Sequence, residues 1–165
     1  MDSLFFKFSF VLIGILLVAA VASIPYLKSL DTIGSKVEIK IGDQLINAEV
    51  ASNAITRAQG LSGRGSIGVN EGMLFVFDKP GKHSFWMKGM KFPIDIVWID
   101  EKDVIIGITK NVEPQPGIVQ NLLKAYYPPA PAKRVLELKA GRTGLFRAGV
   151  GDVVRIRPFV QNSQQ

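Results

Sequence analysis

Ile94-Asp95-Ile96-Val97-Trp98-Ile99-Asp100, then Glu101-Lys102-Asp103, then Val104-Ile105-Ile106-Gly107-Ile108-Thr109, is the stretch that decides the fold. Two apolar runs rich in β-branched residues flank three charged residues suited to a turn, so the stretch reads as a β-hairpin. Pro93 marks its start, because proline cannot donate to a strand ladder.

The same reading extends outward in both directions. Val37-Glu38-Ile39-Lys40-Ile41 alternates apolar and charged residues, as a half-buried strand does, and Gly42-Asp43 turns it into a second strand over Leu45 to Val50. Asn53 is placed to cap a short helix over Ala54 to Gln59, which Gly60 stops. Met73 to Phe77 reads as a buried strand, Asp78-Lys79-Pro80-Gly81 as a turn, and His83 to Met87 as the return strand. Residues 111–133 carry five prolines and no period, and read as a long crossing loop. Val135 to Leu138 is a short strand, residues 140–149 suggest a helical turn or two, and Asp152 to Arg157 alternates as the last strand. The sum is about eight short strands with one or two short helices and no βαβ rhythm. This predicts an all-β domain over residues 36–158, a compact sandwich or distorted barrel.

Before this domain, Phe8 to Leu27 contains no charged residue over 20 positions. As a helix it would span ~30 Å, the thickness of a bilayer's hydrocarbon core. Residues 1–27 therefore read as a signal peptide or membrane anchor, with 28–35 a polar linker and 159–165 a flexible tail. Ala20-Val21-Ala22 offers a small-x-small cleavage site, but the run is longer than an ordinary signal core, which favours the anchor. Lys7 before the run and Lys28, Lys36 and Lys40 after it leave charge counting undecided about orientation. The order of segments points to an extracytoplasmic domain, tethered or secreted.

Composition narrows the chemistry. The 165 residues contain no cysteine and one histidine, which excludes disulfides, thiolate metal sites, cysteine nucleophiles and multi-imidazole centres within the chain. No cofactor and no metal are expected. The net charge of +6 is diffuse, which argues against a nucleic-acid partner and suits anionic lipid or an envelope polymer. Lys79, Lys82, Lys88 and Lys91 concentrate that charge around the 78–81 turn.

Gly63-Arg64-Gly65-Ser66-Ile67-Gly68 fits the dinucleotide fingerprint only as letters, since no strand precedes it and no helix follows. The denser feature is Phe85-Trp86-Met87-Lys88-Gly89-Met90-Lys91-Phe92-Pro93-Ile94. Strand alternation puts Phe85 and Met87 on one face and Trp86 with Lys88 on the other, an aromatic platform beside a cation. The ordinary alternative is one core face and one half-covered surface. His83, among lysines, reads as a surface residue. Asp95 and Glu137 each interrupt an apolar strand, so each must face solvent or find a partner.

These residues lie within six segments that occur in order: Arg57 to Arg64, Glu71 to Phe77, Phe85 to Lys88, Phe92 to Asp95, Val135 to Gly141 and Gly151 to Val153. Together they resemble the signature of the domain of unknown function 192 family, also catalogued as uncharacterised protein family 0127, over about residues 45–157. The resemblance implies a small, mostly prokaryotic protein with a compact all-β sandwich, frequently preceded by a signal or membrane segment. It implies no activity, substrate or cofactor. Many members have Asn-Thr where this chain has Gly89-Met90.

The resulting expectation is an envelope-associated binding module for a small ligand or envelope component. Its site would gather Arg64, Glu71, Trp86, Lys88, Asp95 and Glu137 around one hollow, with no residue assigned to catalysis. One alternative is an envelope hydrolase or transferase using Asp95 and Glu137 as acid and base, which requires the two carboxyls to meet. The other is a structural domain without a ligand.

Overall fold

The computed structural model describes residues 35–159. The expected leader, most of the linker and most of the tail lie outside these residues. Among the described residues no helix is long and apolar enough to cross a membrane.

The domain is all-β, with nine strands rather than eight: β1 (Lys36–Ile41), β2 (Gln44–Ala51), β3 (Glu71–Gly81), β4 (Phe85–Trp86), β5 (Ile94–Ile99), β6 (Ile105–Val112), β7 (Ala125–Tyr126), β8 (Ala132–Lys139) and β9 (Arg155–Pro158). One helix, α1 (Ala54–Gln59), and two 3-10 turns, Gln120–Leu122 and Arg142–Leu145, complete it. Seven strands form one mixed sheet in the order β6-β5-β8-β3-β2-β1-β9, and β4 pairs with β7 in a separate ribbon. Only β2 and β3 run parallel, because α1 and the glycine-rich segment after it carry the chain back before β3 begins.

Period-2 alternation splits the apolar residues between the two faces of the sheet. Ile94, Ile96 and Trp98 of β5 join Met73, Phe75 and Val135 in one core, which is roofed by Leu61, Ile67, Phe85, Met87, Met90 and Phe92 from the connections. Val97 and Ile99 join Leu74, Leu136 and Leu138 in the other, which the strands β1 and β2 complete through Val37, Ile39, Ile41, Ile46, Ala48 and Val50. Every residue of β5 is buried, so the hairpin that announced the fold is also its most enclosed strand. The sheet is open, yet its ends approach each other. Val104 bridges Val153, and the N–H of Ile105 and of Val154 donate to Asp152 O (2.9 Å) and Asp103 O (2.8 Å).

Two local expectations change. The Asp78-Lys79-Pro80-Gly81 stretch is not a hairpin turn: β3 continues through it, with a register shift against β8 between Val76 and Gly81. The return strand shortens to β4 and pairs with β7 from the proline-rich segment instead of β3. Short-range turn residues favour a reversal there, but β8 and β2 occupy the two edges of β3, so a return strand has no edge of β3 to pair with.

Gly72 sits where β3 meets β8. A Cβ there would lie 2.7 Å from Glu137 O and 2.9 Å from Leu138 Cδ2. Gly72→Ala should therefore force β3 and β8 apart and cost about 1–3 kcal/mol, read as a lower urea midpoint. An unchanged midpoint would mean that the ladder yields without cost.

Candidate functional site: an aromatic cleft over a buried carboxyl

The cleft begins with a cap. Asn53 Oδ1 accepts from Thr56 N at 2.9 Å, while Asn53 N donates to Thr56 Oγ1 at 3.2 Å, a reciprocal pair that starts α1. Gly60 ends the helix at φ +50°, and a Cβ there would stand 3.3 Å from the Phe75 ring. The chain leaving the helix therefore passes close to the Phe75 ring. Arg57 reaches across to donate to the carbonyl oxygens of Ser52 and, at 2.9 Å, Val76. Its guanidinium also lies 5.2 Å from the centre of the Phe77 ring.

The opposite wall comes from β4. Phe85 meets Phe75 edge-on at 4.9 Å and Trp98 at 5.5 Å. The alternation expected of this segment holds: Phe85 and Met87 are buried, while Trp86 (47% exposed) and Lys88 face outward at the rim. Between these walls is a cleft of about 260 Å³, lined by Leu61, Met90, Phe75, Phe77, Phe85 and Trp86 as its apolar members, with Ser62 and Ser84 beside them.

Glu137 of β8 also lines this cleft. It lies in register with Met73 of β3 and Ile96 of β5, so its flanks across the sheet are apolar. It is only 5% exposed, and among the described residues its carboxyl makes no hydrogen bond or ion pair, although its oxygens are not sealed from the cleft. Burial pushes its pKa up to about 8, since nothing nearby stabilises the charged form. The two cations lining the cleft are engaged elsewhere: Arg57 as described, and Lys88 Nζ with Gln120 Oε1 at 2.6 Å.

Asp95 is the opposite case. It is fully buried, and it faces Leu138 rather than Glu137 across the β5–β8 ladder. Adjacent register positions point to opposite faces, so the two carboxyls do not meet and form no acid–base pair. The β5–β6 register shifts between Ile94 and Ile96, leaving a bulge at which Asn111 adopts φ +51°. Asp95 Oδ1 accepts the Asn111 N–H at 2.9 Å. Its Oδ2 accepts from Thr143 N at 3.0 Å and Thr143 Oγ1 at 2.6 Å. Asp95 thus ties the bulge to the Arg142–Leu145 turn.

Arg64 and Glu71 line a separate groove, of about 80 Å³. Arg64 binds both carboxylate oxygens of Glu49, at 2.8 and 2.7 Å, and this hydrogen bonding holds the Glu49 pKa below its usual value. Glu71 Oε2 accepts the Gly68 N–H at 2.9 Å and closes the glycine-rich loop. His83 stacks on Phe77 at 3.6 Å, and its Nε2 is 3.1 Å from Lys79 O, so a carbonyl and no carboxylate orients it.

Of the six residues expected to converge, Trp86, Lys88 and Glu137 do. The sequence reading missed Arg57, Phe75 and Phe77 as cleft residues. The i, i+2 spacing of the two phenylalanines placed them on one strand face, but nothing local pointed α1 at that face.

The fold and site define a small all-β domain with a mixed sheet and an aromatic-walled cleft over a buried acid. The chain belongs to the DUF192 family, described as Uncharacterized ACR, whose model matches residues 37–156. No curated protein matches it. Two solved structures are similar. One is a protein from Sinorhizobium meliloti 1021 described as a candidate transcription regulator, with 26% identity and a TM-score of 0.64 over 74% of this chain and 92% of that one. The other is a protein of unknown function from Novosphingobium aromaticivorans DSM 12444, with 25% identity and a TM-score of 0.64 over 73% and 83%.

Two measurements follow from the contrast between the acids. Asp95→Ala would orphan three donors and should lower unfolding free energy by about 3 kcal/mol or more in urea titrations. Glu137 behaves inversely. Its folded pKa is above the unfolded value, so its stabilising contribution is complete below about pH 4.5 and is lost as pH rises towards 8. Glu137→Gln should melt close to the parent at pH 5 and above it at pH 8.5. Equal melting at both values would show a carboxyl that is not strained by burial.

Proposed function

We propose that this protein is an envelope-associated binding module whose ligand enters the cleft beside Trp86 and reaches Glu137. The observation that carries this reading is the Glu137 carboxyl, which lines a cleft yet has no partner within the described residues. A buried polar group without a partner costs stability, and a ligand that satisfies it recovers that cost. The exposed half of the Trp86 ring provides a stacking surface, and Lys88 a cation at the entrance.

The apolar run Phe8 to Leu27 supports tethering to a membrane, or secretion after cleavage, with the domain outside the cytoplasm. Lys79, Lys82, Lys88 and Lys91 are all exposed, which suits an anionic lipid surface or envelope polymer as the setting. We also read the curled sheet as a distorted barrel, a reading supported by the approach of β6 and β9.

The hydrolase alternative loses its support, because its two carboxyls lie on opposite faces. The cleft favours a ligand over a purely structural role. The Sinorhizobium protein's description raises nucleic acid as a partner, but α1 has six residues and carries one cation, Arg57, which is held by two carbonyls and the Phe77 ring. We propose no nucleic-acid partner.

The test is native mass spectrometry of the full chain, purified gently from its own membranes. A bound small molecule is expected with the parent and is expected to be lost from a folded Trp86→Ala variant. Equal retention by the variant would remove Trp86 from the site, and a ligand-free parent would count against the binding reading.

A further inference from the structure

We propose that the cleft takes an ammonium group on an apolar or aromatic stem, with the cationic head against Glu137. This rests on the binding reading above and names its ligand class.

Four observations carry it. First, Glu137 is an acid buried against apolar neighbours, lining an open cleft, with no donor supplied by the described residues. Second, the protein does not spend its own cations on it. Arg57 is held by two backbone carbonyls and the Phe77 face, and Lys88 is held by Gln120. Neither cation is among the influences on the Glu137 proton, which responds to burial alone. Third, the walls of the cleft are phenylalanine and tryptophan rings. Aromatic rings attract organic cations and also pack against an apolar stem. Fourth, a metal ion is a poor occupant. Hard cations need several oxygen donors, and no group of three carboxylates or imidazoles exists among the described residues.

The pairing is a proton exchange that balances. The Glu137 carboxylic acid releases its proton to solvent, and the resulting carboxylate accepts hydrogen bonds from the ligand's R–NH3+. No covalent bond forms. The groups packed around Glu137 do not compete for this role. Met73 and Ile96 flank it in the sheet, α1 contributes Arg57 as its charged cleft residue, and the segment after β4 contributes Lys88. The Lys88 ammonium at the rim also suits a ligand that carries an anionic group at its far end.

Because the free acid holds its proton to about pH 8, ammonium affinity should rise with pH as the proton becomes easier to displace. With that value, the gain from pH 7 to pH 8.5 is about eightfold, while the amine itself stays protonated.

The experiment uses the full chain in a neutral detergent, titrated with phenethylamine and with its neutral counterpart 2-phenylethanol. The amine is expected to bind at least tenfold more tightly than the alcohol at pH 8.5, with the pH gain just given. Glu137→Gln is expected to lower amine affinity at least tenfold and to abolish the pH gain. Equal binding of amine and alcohol by the parent overturns the ammonium assignment and leaves the cleft as a binding site. Undiminished amine binding by Glu137→Gln overturns it as well. If neither compound binds, this proposal fails, and the mass-spectrometric result alone then decides whether the cleft holds a ligand of another class. The parent's amine-to-alcohol ratio tests the idea even if the variant folds poorly.

Discussion

β8 lies between β3 and β5, and that placement is the constraint on which the rest depends. It brings the hairpin of β5 and β6 onto the N-terminal strands β1, β2 and β3, so that one continuous sheet can bury residues on both faces. Leu136 and Leu138 then point into one core, and Val135 and Glu137 towards the other. Sequence neighbours on this strand are thereby committed to different environments. The close approach at Gly72 is the local cost of bringing β3 against β8, and glycine is the residue that permits it.

Two acids on adjacent strands show what that geometry does to charge. Asp95 and Glu137 both interrupt apolar runs, and both are buried. Asp95 meets two backbone N–H groups and a hydroxyl, donors that the β5–β6 bulge and the Arg142–Leu145 turn would otherwise leave unpaired. Its role is to hold elements in place. Glu137 points the other way, onto a face covered by β4 and the connecting segments, and there the cover is incomplete. A cleft remains, and the carboxyl in it is unpartnered. Paired and unpaired acids thus differ by which side of one sheet they occupy. The same logic separates Arg64, whose charge is answered by Glu49, from Arg57, which turns its back on the cleft to bind carbonyls.

The legible parts of the sequence were those governed by local rules. The Asn53 cap and Gly60 stop bounded α1 correctly, because capping is settled within one turn of chain. The alternation of Phe85, Trp86, Met87 and Lys88 gave the right faces, although the strand is only two residues long. The Asp78–Gly81 turn was misread for a related reason. Its residues favour reversal, but β3 there pairs onward with β8, and β4 pairs with a segment some forty residues later in the chain. The expected single hollow failed similarly, since Arg64, in the loop before β3, pairs with Glu49 of β2 and lines with Glu71 a groove separate from Trp86.

What the chain determined by itself was therefore the β class, the short helix after Asn53, the faces of β1 and of Phe85 to Lys88, and the absence of thiol and multi-histidine chemistry. Those properties depend on residue type and on spacings of two to four positions. The sheet order, the face on which each buried acid lies, and the gathering of α1, β3, β4 and β8 around one cleft were decided by tertiary structure. They depend on contacts between strands far apart in sequence, where a shift of one residue would exchange Glu137 for Leu136 at the cleft floor.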